Sequence, residues 1–202
     1  MDYSNIEEYM TRSCSKLFVH DKSKICLVNI PKNASSYLRV KFDLKHVRYE
    51  PNKHIEYTKI IVLRDPVDRL WSSYSEVLKL RKDGPYISTQ KADFYKNRSN
   101  IKQSMLEFLS FIENNLYDVH VFPQSEFLKR KSLTLADMDF IYDFTDVDKL
   151  DKMLSVIIPH RNIGKINAKK FTPPFILDEE MVNAIYPEDM ILYSQIRDNH
   201  TK

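Results

Sequence analysis

Short apolar runs alternate along the chain with segments in which apolar residues recur every three or four positions. The runs Leu17–His20 and Ile25–Ile30 are separated by the polar residues 21–24, a pattern typical of two strands joined by a tight turn. Ile60–Leu63 is aliphatic at four consecutive positions, as expected of a central strand that is covered on both faces. Residues 139–144 (DFIYDF) predict a further buried strand.

Segments with helical periodicity follow these runs. Apolar residues recur at helical spacing from about residues 34, 67, 101, 147 and 179 onward, which predicts five amphipathic helices. A sixth helix starts or kinks at Pro187. The predicted N-caps of three helices are aspartates, namely Asp68, Asp146 and Asp178. Strands that alternate with helices predict an α/β fold with a mostly parallel sheet, whose ligands lie at the carboxyl ends of the strands.

The composition narrows the chemistry that is available to this fold. A chain of 202 residues with 43% hydrophobic residues predicts one globular domain over residues 1–202. Only 2 glycines are present, which excludes a glycine-rich phosphate loop, so anions must be bound by Lys, Arg, Ser and helix ends. The formal net charge of +3 is too small to indicate nucleic acid as a partner.

Cysteine content and hydropathy predict a cytoplasmic protein. Cys14 and Cys26 form no disulfide framework and no CxxC pair, so both thiols are expected to be reduced. The N-terminal residues include acidic side chains and no apolar core, unlike a signal peptide. No window approaches 18 uninterrupted apolar residues, so no membrane is expected as a partner.

Residues 81–100 interrupt the alternation of strands and helices. They show little periodicity, contain the pair Gly84-Pro85, and carry five basic against two acidic residues. A basic loop of this length is typical of a functional lid or of a disordered segment.

The first of two candidate anion sites follows the strand that ends at Pro31. Lys32 comes directly after this strand, and Ser35 and Ser36 fall in the first turn of the next helix. An ammonium group, two hydroxyls and helix amides can together bind a phosphate or a sulfate. The segment is not a Walker A loop, which needs two glycines. Taken alone, the PKxxSS string is also typical of a surface loop.

The second candidate site follows the central strand. Arg64 leaves the strand end, where its guanidinium can reach an anion above the sheet. Arg69 and Ser72 are three residues apart and are predicted on the polar side of the following helix. A capped helix with Arg–Asp surface pairs is the alternative interpretation of this segment. Two such sites in tandem indicate a ligand with two separated phosphate-like groups.

The sequences PKNASS at 31–36 and LRDPVDRLWSSY at 63–74 resemble the two nucleotide-binding motifs of sulfotransferases that use 3′-phosphoadenosine 5′-phosphosulfate (PAPS). The resemblance is to the carbohydrate-sulfotransferase branch in particular, whose second motif follows the pattern R-[DH]-P-x-x-R-x-x-S-x-Y. Weaker similarity continues downstream in four segments, namely His120–Gln124, Phe140-Ile141, His160–Asn162 and Tyr186–Asp189.

This resemblance implies a P-loop-like three-layer fold, in which helices flank a central, mostly parallel sheet. It also implies metal-free transfer of a sulfuryl group from PAPS to a hydroxyl or amine of an acceptor, such as a glycan or an acidic peptide, with adenosine 3′,5′-bisphosphate as the product. Lys32 is the implied stabiliser of the leaving phosphate oxygen. The first motif would hold the 5′-phosphate and the second the 3′-phosphate. The implied PAPS-binding residues are Lys32, Asn33, Ala34, Ser35, Ser36, Arg64, Arg69 and Ser72.

The resemblance further implies a general base, a His or Glu between the two motifs, which takes the proton of the acceptor. This chain offers four residues there, namely His46, Glu50, His54 and Glu56. We favour His54, with Glu50 second, because the polar segment 49–54 precedes the central strand and could overhang the reacting sulfur.

Two other classes of protein remain open. A small kinase would need a Walker A loop and a carboxylate for Mg²⁺, a role that Asp65 could fill, but the missing glycines count against it. A non-catalytic module would bind a phosphorylated or sulfated ligand through Lys32, Arg64 and the basic loop without a working base. Ligand binding without detectable transfer would favour the module.

Overall fold

A mixed sheet of five strands lies at the centre of the structure, a computed structural model that describes residues 6–80, 99–114, 119–163 and 173–200. The strands are β1 (Lys16–His20), β2 (Ile25–Val28), β3 (Lys45–Arg48), β4 (Thr58–Leu63) and β5 (Phe140–Asp143), in the order β3-β1-β2-β4-β5. β4 pairs in parallel with β2 and β5, whereas β1 pairs antiparallel with β2 and β3. Four strands therefore point in one direction and β1 opposes them, which confirms the predicted mostly parallel sheet.

Eight α-helices surround the sheet in the part of the chain that the structure describes. They are α1 (Ile6–Cys14), α2 (Ser35–Lys41), α3 (Pro66–Leu80), α4 (Ile101–Asn114), α5 (Gln124–Lys129), α6 (Val147–Ile157), α7 (Glu179–Ile185) and α8 (Pro187–His200). Two single-turn 3₁₀ helices, Leu135–Asp137 and Phe144–Asp146, flank β5.

Alternate residues of the central strands pack against helices on opposite faces of the sheet. The face that meets α2 and α6 has a buried core of Phe18, Leu27, Ile60, Val62, Leu38, Phe42, Leu150 and Leu154. The face that meets α1, α5 and α8 has a buried core of Leu17, Val19, Val28, Ile61, Leu63, Cys14, Phe127 and Ile196. A third cluster joins α3 to α4 and α7 through Trp71, Met105, Phe108 and Val182. The sheet is thus the middle of three layers, and β2, its loop and α2 form the P-loop-like unit.

The predicted hairpin and central strand are confirmed. β1 and β2 pair from Leu17↔Val28 to His20↔Ile25, although β2 ends at Val28, two residues earlier than predicted. The four residues of Ile60–Leu63 are each at most 2% exposed, because β4 has a strand on either side and helices on both faces.

The predicted N-caps have different outcomes. Asp68 was the wrong choice, because α3 begins at Pro66 and the carboxylate of Asp65 accepts hydrogen bonds from the backbone N–H of Val67 (2.9 Å) and Asp68 (3.1 Å). Proline suits the first helical position, since it has no N–H to satisfy there. Asp178 does cap α7 by accepting from Glu180 N–H. Asp146 stands at the N-cap of α6, but its side chain makes no capping bond.

Sheet edges account for the remaining differences from the predictions. β5 was predicted to be buried, but it lies at the edge of the sheet and Phe140 is 43% exposed. The other edge strand, β3, was not predicted because its sequence KHVR has no apolar alternation. Apart from the strands, the helices α1 and α5 were not predicted either.

Two expectations lie outside what the structure describes. The basic segment 81–100 falls almost entirely outside the described residues, so its loop remains a prediction, as does a single domain over residues 1–202. Among the helices that are described, none combines the length and the hydropathy needed to span a membrane.

A buried lysine links α1 to α5 on one face of the sheet. The ammonium of Lys131 donates to the carbonyl oxygens of Cys14 and Phe127, at the carboxyl end of α1 and inside α5. Burial lowers the pKa of Lys131 from 10.5 to about 7, and it raises the pKa of the Cys14 thiol from 9.0 to about 11. Between pH 7 and 8.5 the unfolded chain keeps a proton on Lys131 that the folded chain gives up. Stability therefore rises with pH in this window.

We predict that the free energy of unfolding increases by roughly 1 kcal/mol between pH 7 and 8.5, and falls at higher pH because the thiols of Cys14 and Cys26 ionise in the unfolded chain. Lys131→Met should remove the increase, because it removes the titrating group. Chemical denaturation at each pH measures this, with Lys129→Met, two residues earlier in the chain, as the exposed control. An increase that persists in Lys131→Met would show that another group causes it.

Candidate functional site

The first loop, which is residues 31–34 of the connection between β2 and α2, turns through two left-handed residues that are not glycine. Lys32 has φ 73° and Ala34 has φ 59°. Each costs about 1–2 kcal/mol relative to right-handed backbone, and such residues persist where the surroundings hold them and often mark functional sites. Ala34 is the N-cap of α2 and offers no side-chain acceptor, so no capping side chain satisfies the first amides of this helix. Ser35 is buried and Ser36 is exposed at the start of α2.

Side chains from elsewhere in the fold hold this first loop in place. Asn33 is buried, and its Nδ2 donates to the carbonyl oxygen of Val62 (2.8 Å) and to Oε1 of Gln124 (2.6 Å). Arg64 Nη1 donates to the carbonyl oxygen of Lys32 (3.2 Å), and Arg69 Nε donates to that of Pro31 (3.4 Å). The arginines of the second motif therefore contact the backbone of the first. The two predicted anion sites form one unit.

Both arginines carry donors without acceptors. Arg64 lies half-buried with its guanidinium 4.4 Å from the ring centroid of Phe144, and Arg69 is 2% exposed. Arg64 Nε and Arg69 Nη2 find no hydrogen-bond partner among the described residues. Burial lowers the pKa of both guanidinium groups. The predicted polar-side location of Arg69 is wrong, because the side chain points inward beneath the first loop. The half-buried Ser72 lies one turn further along α3.

The ammonium of Lys32 is bound by a carboxylate that the sequence analysis missed. Lys32 Nζ lies 3.0 Å from Oε2 of Glu76 on α3, and the two side chains are only 16% and 26% exposed. Glu76 follows Ser72 at helical i, i+4 spacing, so both lie on the face of α3 that meets the first loop. That spacing was the signal that could have identified Glu76.

His54 and Glu50 occupy different environments from those expected. His54 is 1% exposed, its Nδ1 lies 3.0 Å from the backbone nitrogen of Glu50, and its ring packs between Tyr49 and Tyr57. These tyrosines belong to the core on the α1, α5 and α8 face, opposite α2. This enclosed position argues against His54 as the base. Glu50 is exposed and pairs with Lys53 (3.6 Å) at an open depression of about 660 Å³.

His46, the third candidate, lies on β3 on the α2 side of the sheet. Its ring packs against Phe18 at 4.9 Å, and its Nε2 lies 3.3 Å from Nδ2 of Asn29, the residue after β2. When Asn29 donates, Nε2 is the unprotonated nitrogen of the ring. The His46 side chain is exposed overall, but desolvation of its ring against Phe18, with Lys16 and Arg39 nearby, lowers its pKa below 6.5. The ring is therefore neutral at pH 7 and lies beside the strand end that leads into the first loop.

Comparison with protein families identifies the class to which this site belongs. The chain matches the family model described as Sulfotransferase family over residues 4–158, which is more than half of its length. The chain therefore belongs to the sulfotransferase family, and it is a transferase of the class that moves sulfuryl groups. No curated protein and no solved structure matches it. Across the described ranges, no group of three or more His, Cys, Asp or Glu residues could hold a metal ion.

We predict that Glu76→Gln tightens the binding of adenosine 3′,5′-bisphosphate by up to about fivefold, because Glu76 competes with an anionic ligand for Lys32 and such an ion pair contributes up to about 1 kcal/mol. Isothermal titration calorimetry measures the Kd. Glu179→Gln, an exposed residue on α7, is the control for the loss of one negative charge. Unchanged or weaker binding by Glu76→Gln would contradict the competition.

Proposed function

We propose that this sulfotransferase transfers the sulfuryl group of PAPS to a hydroxyl or amine of an acidic acceptor, with a glycan as the favoured class. The observation that carries the proposal is the joining of two basic loops at the carboxyl ends of β2 and β4, namely the first loop and a second loop of residues 64–65. Arg64 in the second loop donates to the backbone of Lys32 in the first. One surface thereby offers cations at two positions to one ligand. PAPS, the donor that this family generally uses, carries a 3′-phosphate and a 5′-phosphosulfate.

The unpartnered guanidinium atoms support the fit of the 3′-phosphate. A buried donor without an acceptor costs about 1–3 kcal/mol, and more when it is charged. Arg64 Nε lacks an acceptor among the described residues but is buried, so a phosphate oxygen would supply that acceptor once the guanidinium turns toward the ligand. We assign the 3′-phosphate to Arg64 and Ser72. Arg69 belongs to the same site as the residue that supports the first loop from beneath.

The first loop suits the 5′ end of the donor. PAPS supplies an activated sulfuryl group, whose departure leaves negative charge on a phosphate oxygen. Lys32 would donate to that oxygen as its charge develops, which is where a fixed cation accelerates the reaction most. Ser35 and Ser36 would hold the 5′-phosphate with their hydroxyls. Asn33 and Ala34 contribute through the loop backbone, because the Asn33 amide is already bonded to Val62 and Gln124.

His46 is the base that we propose for the acceptor. It lies between the two motifs in the sequence, and Asn29 connects it to the strand that leads into the first loop. A neutral imidazole with a lowered pKa accepts a proton near neutral pH without first losing one, once Asn29 releases the lone pair of Nε2. Glu50 is the second candidate, because it is exposed, whereas His54 is enclosed in the core.

Basic side chains around the edge of the sheet formed by β1 and β3 support an acidic acceptor. Four cations on α1, β1, α2 and β3 form no ion pair with the described carboxylates, namely Arg12, Lys16, Arg39 and Arg48. Arg48 lines both the 660 Å³ depression and a second one of about 450 Å³ that it shares with Arg12 and Lys16. Arg39 contacts the ring of Phe18, against which His46 packs. These four cations would attract carboxylated or sulfated chains to this edge of the sheet.

We predict that adenosine 3′,5′-bisphosphate raises the thermal stability of the protein far more than AMP does, because AMP lacks the group that Arg64 and Ser72 would bind. At a hundredfold excess over Kd the bisphosphate should contribute roughly 2.7 kcal/mol. A thermal shift titration of both nucleotides measures this, with ATP–Mg²⁺ as the test of kinase chemistry. Equal shifts with the bisphosphate and AMP would overturn the assignment of the second loop.

We predict that His46→Gln abolishes sulfuryl transfer but leaves bisphosphate affinity unchanged, because the base contacts the acceptor and not the donor. Transfer of ³⁵S from PAPS to a panel of carboxylated and sulfated polysaccharides measures activity, with Glu50→Gln as the matched control. In the wild type, kcat/KM should rise with pH through a pKa below 6.5, since the neutral ring is the active form. Full activity in His46→Gln together with loss of activity in Glu50→Gln would move the base to Glu50, and full activity in both variants would exclude both residues as the base.

A further inference from the structure

Gln124, the first residue of α5, contacts both anion-binding loops with one side chain. It is fully buried, and its Oε1 accepts hydrogen bonds from Asn33 Nδ2 (2.6 Å) and from the backbone N–H of Arg64 (3.1 Å). Its Nε2 donates to the carbonyl oxygen of Arg64 (2.8 Å). The amide thus pairs with both backbone groups of Arg64, as a neighbouring strand would, while it also holds the side chain of the first loop.

The position of Gln124 is in turn set by the last helix. Asp189 on α8 is 1% exposed, and its two carboxylate oxygens accept from the backbone N–H of Gln124 (2.6 Å) and Ser125 (2.8 Å). The hydroxyl of Tyr186 donates to the carbonyl oxygen of Val121 (2.7 Å), just before α5. Asp189 in the last helix and Tyr186 just before it therefore hold the chain on both sides of Pro123, which fixes the position of the Gln124 backbone.

We propose that Gln124 is a positioning residue that fixes the separation between the two anion-binding loops, and that Asp189 holds Gln124 in register. The inference rests on the proposed function, since a fixed separation matters only for a ligand that binds both loops at once. A rigid nucleotide gains from its second phosphate only where the second loop already lies at the matching distance.

The chemistry of the contact requires a carboxamide of this length. Gln124 acts as donor and acceptor at once toward Arg64, and as acceptor toward Asn33. A glutamate keeps the acceptors but loses the donor, and methionine of similar length loses both. Replacement should therefore loosen the second loop relative to the first without removing any group that contacts the ligand.

The test compares two affinities, because a purely structural role would change both alike. In the wild type, adenosine 3′,5′-bisphosphate should bind on the order of 10- to 100-fold more tightly than AMP, which is the range for charged hydrogen bonds to one phosphate. Gln124→Met should lower this ratio by about tenfold or more, with AMP affinity nearly unchanged. Calorimetric titration of both nucleotides measures the ratio. Phe127→Leu, a core change on the same helix, is the matched control and should keep the wild-type ratio.

Two outcomes separate this proposal from the proposed function. A wild type that binds both nucleotides equally would overturn the assignment of the two loops and the positioning role with it. A wild type that discriminates, together with a Gln124→Met variant that keeps the ratio, would overturn the positioning role alone. If Gln124→Met does not fold, Gln124→Glu is measured instead. It should also lower the ratio, and an unchanged ratio in that variant would equally overturn the proposal.

Discussion

The loop after β2 depends on bonds to its neighbours, because it turns through left-handed backbone without glycine. Lys32 and Ala34 hold positive φ angles that ordinary residues avoid, and the free energy for this conformation must come from outside the loop. Asn33 supplies part of it through a fully buried amide, and Arg64 and Arg69 supply more through bonds to the loop carbonyls. A loop held in this way is preorganised before any ligand arrives, which lowers the entropic cost of binding.

The same bonds explain why the two basic motifs act as one unit. Arg69 is buried, and Asp189 is the acidic group that most favours its charge in that environment. Asp189 also accepts from the first amides of α5, so the buried carboxylate serves both the arginine and the helix. The uncharged carboxamide of Gln124 then forms hydrogen bonds with Arg64 and Asn33, which connects both loops to the position that Asp189 fixes. Lys32, the cation of the first loop, is paired with Glu76.

Much of the fold could be predicted from sequence because its signals are local. The aliphatic run of β4, the hairpin of β1 and β2, and the amphipathic pattern of α3 each arise within a few residues. The two loops were found for the same reason, since Lys32 and Arg64 directly follow strand ends. The polar edge strand β3 carries no such signal, and with it the location of His46 remained hidden.

Other features of the site depend on contacts between distant segments. The burial of His54 results from Tyr49 and Tyr57 closing around it, and the burial of Arg69 results from the first loop lying above it. The link from Asp189 to Gln124 joins residues 65 positions apart. Periodicity and spacing contain no information about such contacts. The similarity of the segments around Gln124 and Asp189 to sulfotransferase motifs did indicate that both segments belong to the family pattern.

A crystal structure of the protein with adenosine 3′,5′-bisphosphate tests the central claim most directly, namely that the two loops bind the two phosphates of one nucleotide. The account predicts the 5′-phosphate against Lys32, Ser35 and Ser36, and the 3′-phosphate within hydrogen-bond distance of Arg64 and Ser72, with the bond between Asn33 and Gln124 intact. A nucleotide that contacts only one loop, or that binds elsewhere on the protein, would contradict it.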